Sequence, residues 1–322
     1  MTTAPQLADI LQMTPVQGDL AVIFPGQGSQ QVGMGRELVD VSAPARRVFA
    51  LADQVLDMPL STLCFEGPVD ELTKTANAQP AILATSLACL AASLDSGTLR
   101  SRPALLAGHS LGEYTALVAA GSLSMEDALV LVRQRGQVMS EAGELRPGTM
   151  AALLGLSEDE VHEICRLSGA EPCNYNAPTQ IVLGGPPSVI ERASRLAKDR
   201  GAKVLPLNVS GAFHTSLMRD AVAPFAAMVD EIEIHDPLIP VISNVTALPL
   251  RSAKAVGEDL KRQMASPVRW YQSIESMVNS GIGAFVEIGP GRVLTALLKR
   301  IAPGATAISI DGAAPLTSPT NV

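Results

Sequence analysis

Residues 103–120, PALLAGHSLGEYTALVAA, decide how this chain is read. Pro103 to Ala107 is short and apolar, as a central strand is, and Tyr114 to Ala120 continues as helix. The GHSLG between them, residues 108–112, has the G-x-S-x-G form of a nucleophile elbow. Glycines relieve the crowding in so sharp a strand-to-helix turn, and the Ser110 hydroxyl stands exposed at the N-terminus of the helix that follows. Ser110 is therefore the candidate nucleophile. The plainer alternative is a tight turn that happens to contain a serine.

Elsewhere the chain alternates in the same way. Leu20 to Phe24 is an apolar strand, helical spacing runs through 45–56, and Gln79-Pro80 is expected to open a buried helix reaching Leu94. Further strands are read at Pro240 to Ser243 and Ala284 to Ile288. This alternation predicts a mostly parallel, doubly covered sheet in an α/β fold whose large part is α/β-hydrolase-like. The middle has another rhythm: strand 149–154, helix 157–167, strands 171–175 and 180–183, helix 188–200, strand 202–207. That β-α-β-β-α-β order is the pattern of a ferredoxin-like unit. The expected division is a flexible leader at 1–18, a large subdomain at 19–143 and 211–312, an inserted small subdomain at 144–210, and a flexible tail at 313–322. A cleft between the two subdomains is the default ligand site.

Composition narrows the function. The 322 residues are 47% hydrophobic and 17% charged, which suits a compact α/β protein with a large core. A net charge of −8, with no basic block and 3% aromatics, argues against nucleic acid as a partner. Cys64, Cys89, Cys165 and Cys173 show neither CxxC spacing nor histidine neighbours, so no metal site and no disulfide framework is expected. No signal peptide and no long uninterrupted apolar run is visible; the reading is a cytoplasmic protein with no membrane attachment.

A serine nucleophile needs a base, and the chain has four histidines. His109 lies in the elbow itself and is expected to point away from Ser110, while His162 and His235 lie in polar surroundings and read as surface groups. His214 follows the return from the small unit to the large one, where it can face the cleft as a general base or merely cap the next helix. On the helix read at Met125 to Ser140, Ala128, Leu131, Val132, Arg135 and Met139 share one apolar stripe. A buried guanidinium there requires an anionic partner: either an internal glutamate or the carboxylate of a substrate. PGQGS at 25–29 lacks the spacing of either a P-loop or a dinucleotide loop, but it can turn the Gln27 N–H towards the cleft. With the N–H of Leu111 it would form a two-donor oxyanion hole. Gly289 to Gly291 reads as a tight turn.

FPGQGSQ at 24–30, QPA at 79–81, GHSLGEYTAL at 108–117, RG at 135–136, NYNAPTQIV at 174–182, GAFHTSLM at 211–218, QMASPVRW at 263–270 and VEIGPG at 286–291 together resemble the malonyl-CoA:acyl-carrier-protein transacylases, in order, over about residues 20–311. The resemblance implies Ser110 as nucleophile, His214 as base, Arg135 as ligand of the malonyl carboxylate, and the Gln27 and Leu111 N–H groups as oxyanion hole. It further implies that the Gln263 backbone carbonyl orients the histidine in place of an acid, and that Gln79, Asn176 and Phe213 belong to the substrate site, Phe213 restricting the acyl α-carbon. The implied reaction is ping-pong, from malonyl-CoA through malonyl-Ser110 to the pantetheine thiol of an acyl carrier protein, in fatty-acid or polyketide synthesis. Malonyl-CoA is then a substrate, no cofactor is implied, and the enzyme is expected to be a monomer.

Two other classes share parts of this pattern. Serine esterases and thioesterases use the same elbow but place histidine late in the chain, and here none follows His235. A malonyl transferase subunit of a malonate decarboxylase would carry the same motifs, as would a catalytically silent docking module, although the latter has no need of Ser110, His214 and Arg135 together.

Overall fold

The computed structural model describes residues 19–313, so the leader expected at 1–18 and all but Ala313 of the expected tail lie outside the described residues. Among the described residues, ten strands form two sheets. The first contains β1 (Leu20–Phe24), β2 (Leu105–Gly108), β7 (Val241–Ile242), β8 (Pro249–Leu250), β9 (Ala284–Ile288) and β10 (Thr306–Ile310), in the order β10-β9-β1-β2-β7-β8. All neighbours in it run parallel except β8 against β7. The second contains β3 (Thr149–Leu154), β4 (Glu171–Ala177), β5 (Gln180–Gly185) and β6 (Lys203–Pro206), in the antiparallel order β4-β5-β3-β6.

Side-chain alternation explains why β1 is apolar throughout. Leu20, Val22 and Phe24 enter one core, while Ala21 and Ile23 enter another on the opposite face. The first core is filled from α1 (Ala43–Leu56), α2 (Thr75–Asp95), α3 (Leu111–Ala119) and α4 (Met125–Leu145). In the small sheet, α5 (Glu158–Ser168) and α6 (Pro187–Asp199) cover one face and enclose a separate core around Leu153, Ile164, Ile181 and Ile190. Ser157 starts α5 with a reciprocal capping box to Glu160, the start its Ser-Glu-Asp-Glu sequence announces. The chain returns through a 3₁₀ turn at Ser216–Met218 to α7 (Arg219–Glu231), α8 (Ala253–Gln263), α9 (Trp270–Asn279) and α10 (Val293–Ile301).

Two helix boundaries correct the sequence reading. The helix expected from Gln79-Pro80 begins at Thr75, with Pro80 inside it, because Lys74 closes the N-terminus with its backbone carbonyl and offers no side-chain cap to see in the sequence. The helix expected to end at Ser140 continues to Leu145. By length and composition α2 could cross a membrane, but 89% of its most apolar window is buried in the fold, which makes it a core helix.

Helices α2 and α4 touch closely at Gly136. A Cβ there would lie 2.6 Å from the Ala76 Cα and 2.7 Å from the Thr75 carbonyl oxygen, backbone atoms that cannot rotate aside. Gly136→Val should therefore destabilise the fold by roughly 1–3 kcal/mol, read as a lower urea midpoint. Gly304→Ala, where a Cβ meets nothing within 4 Å, should leave the midpoint unchanged. Equal midpoints for all three proteins would contradict the packing account.

Candidate active site

The elbow sits at the C-terminal end of β2. Ser110 takes φ 51° and ψ −103°, a conformation that L-residues rarely adopt, and it directly precedes α3. Such a turn is possible because Gly108 and Gly112 interlock: a Cβ on Gly108 would lie 1.9 Å from the Gly112 carbonyl. Asn244, at the end of the neighbouring strand β7, clamps the strain. Its Nδ2 donates to the Gly108 carbonyl at 2.7 Å, and its Oδ1 accepts from the Ser110 N–H at 2.6 Å. Sequence reasoning missed Asn244; its only signal was a place at the carboxyl end of a parallel strand, where sites in such sheets collect.

His214 also has positive φ, 62°, and reaches Ser110 across the cleft: its Nε2 lies 2.8 Å from the Ser110 Oγ. Nδ1 donates to two backbone carbonyls, Gln263 at 3.0 Å and Ser266 at 3.1 Å. These acceptors fix the tautomer, leaving Nε2 unprotonated and facing the hydroxyl. The sequence expectation had the Gln263 carbonyl alone; Ser266 shares the task. Burial, and after it the Arg135 charge, pull the His214 pKa down to about 3, so the imidazole is neutral at ordinary pH.

Arg135 is 1% exposed, and no carboxylate among the described residues lies within salt-bridge distance of it. Neutral groups surround it instead. Nη1 donates to Gln79 Oε1 at 2.7 Å, and Nη2 donates to Gln263 Oε1 at 2.8 Å and to Ser110 Oγ at 3.2 Å. The guanidinium lies 5.3 Å from the centroid of the Tyr114 ring, and its buried Nε has no hydrogen-bond partner. Of the two partners that the sequence left open, the internal ion pair is absent here, and a cation remains beside the nucleophile. Gln79 is itself fully buried and touches Arg135 without lining the cavity.

Leu111 opens α3, so its N–H has no intrahelical acceptor, and the Gln27 N–H has no acceptor among the described residues. The Ser110 N–H, by contrast, is occupied by Asn244. A cavity of about 270 Å³ has Gln27, Ser110 and His214 in its wall beside Met139, Met150 and Phe213. It adjoins a second cavity that Asn176, Gln180 and Leu297 line, and beyond that a surface recess edged by Arg292 and Arg300.

His109 lines the same cavity as Ser110. Its Nε2 lies 2.8 Å from the Asn176 Oδ1, and its ring packs 5.5 Å from that of Trp270; burial lowers its pKa. Asn176 thus faces the passage while holding His109 across from the small sheet. His162 bonds the Tyr175 hydroxyl at 2.9 Å, half exposed, and His235 lies near Glu233 on the surface.

A neutral, oriented imidazole against a serine hydroxyl, with two free N–H groups and a cation alongside, is equipped to form and break an acyl-serine bond. Comparison with known proteins agrees. Residues 22–314 match the acyl transferase domain family. Malonyl CoA-acyl carrier protein transacylase of Bacillus subtilis (strain 168) is 45% identical over 288 residues, 88% of this chain and 90% of its own. The acyl carrier protein S-malonyltransferase structure from Vibrio cholerae O1 superposes with a TM-score of 0.90 at 39% identity, covering 94% of this chain and 99% of that one. A malonyl-transacylase solved in complex with its type II PKS acyl carrier protein gives 0.89 at 39% identity, with 93% and 98% covered.

The low His214 pKa has a direct consequence. The ring ¹⁵N resonances of His214, followed from pH 8 to about 4.5, should stay at neutral values, with no inflection near the ordinary value of about 6.5. An inflection at the ordinary value would remove the burial and Arg135 effects from the account.

Proposed function

The chain belongs to the acyl transferase family, and from that premise we propose that it moves the malonyl group of malonyl-CoA to the phosphopantetheine thiol of an acyl carrier protein through malonyl-Ser110. The observation that carries this reading is Arg135: a buried cation 3.2 Å from the nucleophile with only neutral partners. A serine hydrolase of neutral esters has no use for such a charge, whereas an acyl group ending in a carboxylate does.

In the first half-reaction the Ser110 Oγ attacks the thioester carbon, its proton passes to His214 Nε2, and the Gln27 and Leu111 N–H groups receive the charge that develops on the carbonyl oxygen. The carbon–sulfur bond breaks and His214 returns the proton to the leaving coenzyme A thiolate. The second half repeats these steps in reverse with the carrier's thiol, so no cofactor is needed at any point. The substrate carboxylate also acts on the base: set against Arg135, it offsets the charge that helps to depress the His214 pKa, and so strengthens the base when the acyl group is the right one. Phe213 narrows the cavity beside His214, favouring an unbranched malonyl group.

In this reading the large subdomain, residues 19–143 and 211–312, supplies the chemistry, and residues 144–210 supply the opposite wall through Met150, Asn174 and Asn176. Arg292, at the N-cap of α10, and Lys299 and Arg300 on it edge the recesses at the far end of the passage, where the phosphates of coenzyme A and an acidic carrier surface would lie. We place the enzyme in the cytoplasm, in keeping with four free cysteines.

Intact mass after brief mixing with malonyl-CoA should show one malonyl group on wild type and none on Ser110→Ala; an adduct surviving that substitution would remove Ser110 from the mechanism. His214→Ala should slow both half-reactions by roughly 10²–10⁴-fold. Arg135→Ala should reduce kcat/KM for malonyl-CoA by about 10²-fold or more and spare acetyl-CoA. An equal fall for both substrates would make Arg135 structural and defeat the specificity argument.

A further inference from the structure

Behind the nucleophile lies a buried acid that the mechanism above does not use. Glu113 is fully buried in the first turn of α3, three residues beyond Ser110. One of its oxygens accepts from the Asn244 N–H at 3.1 Å, and the other accepts from Gln263 Nε2. The Gln263 Nε2 also donates to the Ser110 carbonyl at 2.9 Å, while its Oε1 takes the Arg135 Nη2 at 2.8 Å. The Gln263 backbone carbonyl holds the His214 Nδ1–H. One glutamine therefore touches the nucleophile, the base and the cation, and Glu113 touches that glutamine.

A primary amide can be turned over, and its two ends differ only in which donates and which accepts. Turned over at Gln263, the oxygen would oppose the Glu113 carboxyl and the Ser110 carbonyl, acceptor against acceptor, and the NH₂ would oppose the guanidinium, donor against donor. We propose that Glu113 is a positioning residue: it fixes the Gln263 amide with its oxygen towards Arg135, so that the guanidinium is oriented by neutral oxygens and its charge stays available to the malonyl carboxylate. This rests on the malonyl-transfer reading and deepens it. A carboxylate in direct contact with Arg135 would orient it equally well, but the substrate would then have to displace an internal ion pair. Interposing an amide keeps the acid one residue back.

The surroundings of Glu113 fit that role. Asp259, whose Oδ1 accepts from the Ser243 hydroxyl, interacts with Glu113 in the same closed space. Burial raises both carboxyls, and Asp259 raises Glu113 further. Asp259 Oδ2 is buried with no hydrogen-bond partner.

The test compares wild type, Glu113→Gln, Gln263→Met and the double variant, using kcat/KM for malonyl-CoA and acetyl-CoA. Glu113→Gln leaves one acceptor oxygen where the Asn244 N–H and the Gln263 NH₂ each had one, and Gln263→Met removes the amide while leaving its backbone carbonyl on His214. Each single substitution should lower the malonyl-to-acetyl ratio by about tenfold to a hundredfold. The double variant should lower it no further than the stronger single one, because both act through the same amide. Retention of the wild-type ratio in a folded Glu113→Gln, or additive losses in the double variant, would overturn the proposal. If Glu113→Gln does not fold, an unchanged ratio in Gln263→Met overturns it. The amide itself can be followed without substrate: the Gln263 side-chain NH₂ protons should exchange slowly in wild type and rapidly in Glu113→Gln. Unchanged exchange defeats the positioning role whatever acyl group the enzyme carries. Failure of the transfer reading shows separately, as absence of any malonyl adduct on wild type.

Discussion

A positive charge enclosed by the fold without a counter-ion is the constraint on which this site is built. Removing a guanidinium from water is costly, and the usual remedy is a carboxylate in contact. Here the remedy is distributed. Two amide oxygens, from Gln79 and Gln263, accept its N–H groups, and the Tyr114 ring lies beneath it. The close approach of α4 to α2 at Gly136 brings Arg135 and Gln79 together, so backbone packing and charge solvation depend on each other. The result is a cation that is oriented but not neutralised, a state that an acyl group bearing a carboxylate can exploit.

The two residues to which the proposed reaction gives proton transfer are both held at positive φ, Ser110 at 51° and His214 at 62°. Such conformations cost of order 1–3 kcal/mol each and persist only where the surroundings overdetermine them. Asn244 does this for Ser110 by bonding both sides of the elbow, and for His214 the N–H of the residue bonds the Met264 carbonyl while the ring bonds Gln263 and Ser266. The hydroxyl and imidazole therefore meet because two strained turns are pinned from behind, and little reorganisation is left for the reaction itself.

The parts of this arrangement legible in the sequence were those written in local pattern. The elbow showed through its glycines, Arg135 through its place on an apolar stripe, and the small sheet through its β-α-β-β-α-β order, which the observed strand order matches. What escaped was non-local. Asn244 reaches the elbow over a separation of 134 residues, and the Glu113–Gln263 contact spans 150. No periodicity connects such positions. The start of α2 was missed because its cap is a backbone carbonyl, which every residue has.

Residues 264–269 join these parts. Val268 accepts from the Tyr175 N–H and donates to the Cys173 carbonyl, adding a short parallel rung to the edge of the small sheet, and Arg269 donates to the Asn244 carbonyl in the large one. The rung comes from outside the inserted sequence, a few residues after Gln263. The small sheet is thus not a portable module, although it is continuous in sequence. A chimaera that exchanged only residues 144–210 with a relative would have to re-form this rung between backbones from two parents, next to the carbonyls that hold His214, whereas one that carried the 264–269 strip along would transplant the seam whole. Recombination between family members is accordingly constrained by a stretch of loop, and not by the boundaries of the sheet it borders.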